Sequence, residues 1–305
     1  MKATRWQAVK ENGMRSSRTI RFRSIDIGRW LKAASVGAAA MLLAAAVTGC
    51  SSGKMNDEGD GAVRKQLEQS AEAAEKPKAW TIEMRLAQQL EEGGEVTKLD
   101  MTTTGPVIKE PLRMKQTIQT AFEDENSKLE TYLTPDGYYM HDLTTDDWMK
   151  MAEDVIPQVK ETLSDYQIRP SEPIARLAVA ADKLQRKGQE DGSTEYVYTG
   201  DGTDEGARAI IEDVLRGTFG GSAMTQEVTD SIQVQQFAYR LSVDPATRLP
   251  QEVHMTMEIS LALTQAAQST LHETLDIAYR DWNGKPNIEV PEAAKKAEAI
   301  EPPSL

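Results

Sequence analysis

The strictest alternation of apolar and polar residues in this chain runs from Val253 to Leu263. Apolar side chains occupy every second position, whereas small or polar side chains such as His254 and Glu258 lie between them. A period of two places all the apolar side chains on one face of a β-strand. Because such a face has to be covered by other elements, the chain is constrained to a layered fold that contains a sheet.

Weaker versions of the same pattern recur on both sides of this run, separated by short polar turns such as Glu92-Gly93-Gly94. Alternation and turns of this kind predict antiparallel strands joined as hairpins. Six of these strands come first and form a meander, and the others follow later in the chain. The predicted strands are 80–87, 96–104, 113–122, 128–133, 138–143, 148–151, 184–189, 194–199, 237–243, 253–263 and 271–279.

The apolar spacing changes to a helical period between the sixth and seventh predicted strands. Val155 to Tyr166, Ser171 to Ala181 and Thr203 to Phe219 each carry apolar residues three or four positions apart, which predicts three short helices. A sheet of about nine or more strands has to curl or split. The sequence therefore predicts an α+β fold, in which a large curved antiparallel sheet, a half-barrel, wraps over a few short helices.

The first fifty residues have the order of a lipoprotein signal peptide. Nine Lys or Arg against two acidic residues, in residues 1–32, precede the apolar stretch Ala33 to Val47, which leads to Val47-Thr48-Gly49-Cys50. This stretch of 15 residues is shorter than the roughly 20 that a membrane-spanning helix requires. We predict a signal peptide over residues 1–49, with translation starting at Met1 or Met14, and acylation of Cys50.

The domain boundaries follow from composition. Residues 50–78 are small or charged with almost no large apolar side chain, which predicts a flexible tether. Residues 79–291 form the predicted domain, and residues 292–305 a disordered tail. Since Cys50 is the only cysteine in the sequence, disulfides and cysteine-based metal sites are excluded.

Charge limits the classes of partner. The sequence has 35 Lys and Arg against 48 Asp and Glu, a net charge of −13. Removing the basic leader leaves 26 basic and 46 acidic residues, a net charge of about −20. Such a protein repels phosphate backbones, so nucleic acid is not an expected partner. We expect the acyl chains on Cys50 to hold the protein at the extracytoplasmic face of the cell membrane.

The succession of elements resembles a known family. The signal and lipobox, the meander, the hairpin YYMHDLTTDDWMKM at 138–151, the helical insert, the run FAYRLSVDPATRLPQEVHMTMEIS at 237–260 and the exit NIEVPEAA at 287–294 resemble the LolA/LppX-type lipoprotein-carrier fold, in particular uncharacterised lipoproteins of Gram-positive bacteria. This resemblance covers Trp80 to Ala293. It implies a hydrophobic cavity between sheet and helices that holds the acyl chains of a lipid or other amphiphile.

The residue types are compatible with such a cavity. Thirteen Met against four Phe indicate a soft, adaptable apolar interior. Ordinary core packing is the alternative interpretation of the same residues. The residues predicted to line the cavity are Met84, Met101, Met114, Leu215, Phe219, Met255, Met257 and Ile259.

Patterns typical of catalysis are weak in this sequence. His141, His254 and His272 are far apart and match no metal-site motif. The segment Gly200 to Gly206 carries three carboxylates, which would repel phosphate and whose spacing is not that of an EF-hand calcium site. We expect neither enzymatic activity nor a cofactor. Three hypotheses remain: an amphiphile-binding lipoprotein, a structural or interaction lipoprotein with a filled core that binds an envelope protein, and an envelope enzyme.

Overall fold

The computed structural model describes residues 60–123, 125–153, 156–219, 224–264 and 267–300. The predicted signal peptide, Cys50, the alternative start at Met14 and the first part of the predicted tether lie outside the described residues, as does the end of the predicted tail at 301–305. Within the described part, no helix is long and apolar enough to cross a membrane.

Across the described ranges, the chain forms twelve strands and seven α-helices, with a short 3₁₀ turn at Ala181–Lys183. The strands are β1 Ala79–Glu92, β2 Glu95–Ile108, β3 Arg113–Phe122, β4 Glu125–Thr134, β5 Gly137–Asp142, β6 Asp147–Met151, β7 Leu184–Gly188, β8 Thr194–Tyr198, β9 Gln233–Val243, β10 Pro250–Thr264, β11 Ala267–Arg280 and β12 Ala299–Ile300. The helices are α1 Asp60–Glu75, α2 Ile156–Glu161, α3 Asp165–Ile168, α4 Ser171–Val179, α5 Glu205–Phe219, α6 Gln226–Ser231 and α7 Glu292–Lys295.

All twelve strands belong to one open sheet with the order β12-β6-β5-β4-β3-β2-β1-β11-β10-β9-β8-β7. Every pair is antiparallel except β12 with β6. The first and last long strands pair near the middle, with Thr81 opposite Arg280 and Leu90 opposite Leu271. This pairing joins two meanders, β1 to β6 and β7 to β11, into one sheet. The prediction of an α+β fold built on a large antiparallel sheet is confirmed.

One face of the sheet is apolar and buried, and we call it the inner face. Along β10, Met255, Ile259 and Leu261 are completely buried, whereas the residues between them are mostly only partly buried. On the neighbouring strand β11, Leu271 lies opposite Ile259 on the same face. The alternation that predicted this strand therefore records which side of the sheet the helices cover.

Helices α3, α4 and α5 are held together by a partly buried ion-pair cluster. The Arg176 guanidinium of α4 contacts the Asp165 carboxylate of α3, and its Nη1 lies 3.2 Å from Oδ2 of Asp213 on α5. Gly206 permits the close approach of α5 to α4, because a Cβ at this position would lie 2.8 Å from the backbone nitrogen of Ala180. Contacts to the sheet include the hydrogen bond of 2.8 Å that the Tyr279 hydroxyl on β11 donates to the carbonyl oxygen of Tyr166 on α3.

The predicted tether is wrong for residues 60–75, which form α1. Val63, Leu67 and Ala74 are buried, and Leu67 is completely inaccessible to solvent. Arg64 on the same helix donates a hydrogen bond of 3.1 Å to the carbonyl oxygen of Val179, at the end of α4. The spacing of these buried residues is helical, but most of them are small, so the segment has the composition of a linker although it packs as a helix.

The predicted disordered tail is wrong for residues 292–300. Ala294 of α7 is completely buried in a cluster with Tyr132, Tyr139 and Ile288. Beyond it, β12 adds two residues to the edge of the sheet beside β6. The two tyrosines around Ala294 and the edge strand that pairs with β12 belong to distant parts of the chain. Local composition therefore did not indicate that these residues are ordered.

Candidate ligand cavity

A cavity of about 220 Å³ lies between the inner face of the sheet and the helices. Strands β1 to β5 and β11 form one wall, and α2, α3, α5 and the residues that link α2 to α3 form the other. Most of the lining side chains are apolar. They include Met84, Leu86, Met101, Met114, Ile118, Leu133, Val159, Leu163, Val214 and Leu275.

Three of the residues predicted to line a cavity do so. Met84, Met101 and Met114 project from the inner faces of β1, β2 and β3. Leu86 of β1 lies opposite Met101, and Met114 lies opposite Leu133 of β4. The strand register therefore brings apolar side chains from four neighbouring strands to the same wall.

The other five predicted residues lie elsewhere among the described side chains. Leu215, Met255, Met257 and Ile259 are buried in the filled core, and none is part of the cavity wall. Phe219, the last residue of α5, is partly buried and is also not part of the wall. Leu215, Met255, Met257 and Ile259 are therefore part of the packed core rather than of the cavity wall.

A polar group interrupts the apolar wall at Glu273. This residue, on the inner face of β11, is 2% exposed. Its Oε2 accepts a hydrogen bond of 2.6 Å from Nε2 of Gln88, the residue opposite it on β1. The Thr218 hydroxyl on α5 lies 3.4 Å from the same oxygen and accepts a hydrogen bond of 2.9 Å from Gln88. One carboxylate thus connects two strands to the end of a helix.

Burial dominates the protonation of this carboxyl group. It raises the pKa of Glu273 from 4.5 to about 7, although the hydrogen bonds from Gln88 and Thr218 favour the ionised form. Within the described part of the chain, no Lys, Arg or His lines the cavity to compensate the charge. The carboxyl group in the cavity wall therefore ionises at a higher pH than an exposed glutamate does.

Three buried polar atoms around the cavity have no hydrogen-bond partner among the described residues. They are Oε1 of Glu273, Oε1 of Gln88 and Nε2 of Gln116. Glu273 and Gln116 both line the cavity, and Gln88 contacts Glu273 directly. Because a buried polar group without a partner costs about 1–3 kcal/mol, such groups in a folded protein require an explanation.

All of these residues lie in a region of the chain that matches a known family. Residues 63–299 match the profile of a family of unknown function, DUF6612. This chain belongs to the DUF6612 family. The matched range begins inside α1 and ends in β12, so the family unit includes both segments that composition alone assigned to a tether and a tail.

Several solved structures are similar to this DUF6612 chain. LprF from Mycobacterium bovis has a TM-score of 0.33 at 11% identity and covers 76% of this chain and 97% of its own. A putative outer membrane lipoprotein-sorting protein domain from Vibrio parahaemolyticus has a TM-score of 0.23 at 10% identity, with coverage of 76% and 97%. A DUF1329 family protein from Desulfovibrio piger has a TM-score of 0.20 at 9% identity, with coverage of 72% and 91%.

The predicted closeness to Gram-positive lipoproteins stays a prediction. No curated protein matches this chain. Since the TM-scores are below 0.5, the function of the DUF6612 chain has to be argued from its own residues.

The polar residues around the cavity were not predicted, although their positions on the alternating strands indicated them. Gln88, Gln116 and Glu273 each occupy an inner-face position of an alternating strand, between apolar residues two positions away on either side. Glu273, for example, lies between Leu271 and Leu275. A polar residue in phase with the buried set of a strand has to find a partner inside the protein, so it indicates an internal polar site.

The histidines of the DUF6612 chain lie apart from the cavity, each beside a carboxylate. Nε2 of His141 lies 2.7 Å from Oδ1 of Asp146, and Nδ1 of His254 lies 2.6 Å from Oδ1 of Asp276. His272 points away from the inner face, because it precedes the inward-facing Glu273. The structure does not bring the three imidazoles together.

The carboxylates of the segment Gly200 to Gly206 have structural roles. Asp204 precedes α5, and its Oδ1 accepts a hydrogen bond of 3.0 Å from the backbone N–H of Ala207, as an N-cap does. Asp201 accepts a hydrogen bond from the backbone N–H of Thr203. No group of three or more His, Cys, Asp or Glu in the described ranges has an arrangement that could hold a metal ion.

Proposed function

We propose that this DUF6612 protein is a cell-envelope lipoprotein that binds the apolar part of an amphiphile between its sheet and its helices. The observation that carries the proposal is the apolar cavity beside Met84, Met101 and Met114. Methionine side chains adapt to ligands of variable shape better than branched ones do. A cavity with such walls favours an aliphatic ligand over a rigid polar one.

The size of the cavity restricts the ligand. Pockets that hold whole small molecules usually enclose about 300–1,000 Å³, whereas an apolar cavity of about 150 Å³ is enough for benzene. At about 220 Å³, this cavity holds one short apolar group. We therefore propose a single aliphatic chain, or the end of one, as the bound part of the ligand.

The proposal that the protein is attached to a membrane is based on the predicted acylation of Cys50. Acylation of Cys50 would leave ten peptide steps before α1 begins at Asp60, and an extended chain of that length spans at most about 35 Å. Because α1 packs on α4 through its buried face, the cavity would stay within reach of the membrane surface. An amphiphile taken from that membrane, or delivered to it, is the ligand that this arrangement favours.

Gly217 offers a direct test. It lines the cavity on α5 and is exposed, so it lies where the cavity opens to solvent. A Cβ at this position would meet only Cβ of Ser164, at 3.8 Å. Gly217→Leu should therefore narrow the cavity without displacing backbone. Gly61→Leu in α1, where a Cβ would meet no atom within 4 Å, is the matched control for helix propensity.

The measurement is native mass spectrometry of the full chain with Cys50→Ser, which removes the predicted acylation site so that the protein's own acyl chains cannot enter the cavity. We expect co-purified or added amphiphile on the chain with Gly61→Leu and at least about tenfold less on the chain with Gly217→Leu. A chain that stays free of amphiphile after incubation with bacterial lipid extract would contradict the proposal and favour an interaction protein with a filled core.

A further inference from the structure

The carboxylate in the cavity wall bears on which amphiphile binds. Glu273 is the one charged side chain that lines the cavity in the described part of the protein. One of its oxygens accepts hydrogen bonds from Gln88 and Thr218, and the other has no partner among the described residues. A cationic ligand group that packs against Glu273 would therefore compensate a carboxylate that is paired with no Lys, Arg or His of the described lining.

We propose that the cavity selects amphiphiles that carry a cationic amine, with the ammonium group paired to Glu273. The proposal rests on the proposed function, since the same cavity holds the aliphatic part of the ligand. An ammonium group has three N–H donors and no acceptor. Oε1 of Glu273 is an acceptor without a partner among the described residues, so it complements such a ligand.

A neutral hydroxyl group would complement the site less well. It donates one hydrogen bond and leaves the charge of the carboxylate uncompensated, whereas buried charges in proteins are normally paired. The pKa of Glu273, raised by burial to about 7, indicates that no cation of the described chain performs this pairing. An anionic head group would be repelled by the same carboxylate.

The rest of the molecule favours the same ligand class. The chain carries a net charge of −13, which raises the local concentration of cations and lowers that of anions around it. Met84, Leu86 and Leu275 line the same cavity as Glu273 and would contact the aliphatic part of the ligand. The site thus combines one negative acceptor with apolar surface.

The test compares two probes of equal chain length, n-octylamine and 1-octanol, by isothermal titration calorimetry at pH 7.5. The protein is the full chain with Cys50→Ser. We expect octylamine to bind at least about tenfold more tightly than octanol, because a hydrogen bond to a charged group is worth a factor of this size. Glu273→Gln, which keeps the shape of the side chain, should abolish the preference while octanol still binds. The same change at the exposed Glu95 should preserve it.

The outcomes separate this inference from the proposed function. Equal affinity for the two probes, tighter binding of octanol, or a preference for the amine that survives Glu273→Gln would overturn the amine inference and leave an apolar ligand in place. Failure of both probes to bind the parent chain would overturn the proposed function together with the inference. A larger stabilisation of the parent chain against heat by octylamine than by octanol at the same concentration gives a second readout that depends on no substitution at Glu273.

Discussion

Replacing Glu273 with Gln should stabilise the protein at alkaline pH and leave it unchanged in acid. In the unfolded chain the carboxyl group titrates near 4.5, whereas in the folded chain burial raises its pKa to about 7. Between these values the folded state binds the proton more tightly, so its stability falls as the pH rises. Each pKa unit is worth about 1.4 kcal/mol, and the interval therefore amounts to about 3 kcal/mol.

The substitution removes this penalty without removing the hydrogen bonds. Oε1 of a glutamine can accept a hydrogen bond from Nε2 of Gln88 as Oε2 of Glu273 does. We expect the two proteins to be equally stable below pH 4.5, to diverge between pH 4.5 and 7, and to differ by about 3 kcal/mol above pH 7.

Urea unfolding at pH 4.5 to 8, followed by the fluorescence of tryptophans including the buried Trp80, measures this difference. The assay uses the full chain with Cys50→Ser, without added amphiphile. Glu95→Gln, at an exposed position on β2, is the control for the chemical change itself and should give no divergence. A difference between Glu273→Gln and its parent that is constant from pH 4.5 to 8 would refute the argument from burial.

Two further substitutions test the packing of the helices by urea unfolding. Leu67→Ala in α1 should cost about 2–5 kcal/mol, because it leaves a cavity at a fully buried position; a cost below about 0.5 kcal/mol would mean that residues 60–75 are a tether after all. Arg176→Ala should cost about 2 kcal/mol, because Asp213 loses the cation beside it and Asp165 keeps only Arg169. Arg85→Ala, which breaks an ion pair on the exposed outer face, is its control and should cost no more than about 1 kcal/mol.

The strands could be predicted because their signal is local. In β10 the alternation of apolar residues from Val253 to Leu263 is sufficient to predict both the element and its buried face, and the turn at Gly93 and Gly94 separates β1 from β2. Each strand needs only to present one apolar face, and any covering layer satisfies that demand. The fold class followed from these patterns before any contact between distant residues was known.

The two ends of the domain could not be predicted in this way. Leu67 is a single large apolar residue among small and charged ones in α1, and Ala294 is one of two alanines in the short helix α7. Each is buried because a partner from elsewhere in the chain fits against it, as Tyr132 and Tyr139 do around Ala294. Burial of this kind is a property of the assembled fold, so composition assigned both segments to flexible chain.

The cavity, too, could be predicted only in part. The period of the strands determined that Met84, Met114 and Met257 all face inward, and it could not distinguish those beside a space from those beside a helix. That difference depends on where the helices lie, and the packing of Gly206 and the contacts of Arg176 help to position α3 and α5. The faces of the sheet can be predicted from the order of residues alone, since side-chain direction is a local consequence of backbone geometry. Which part of the interior stays open depends on the folded chain, because empty volume arises from how separate elements pack against one another.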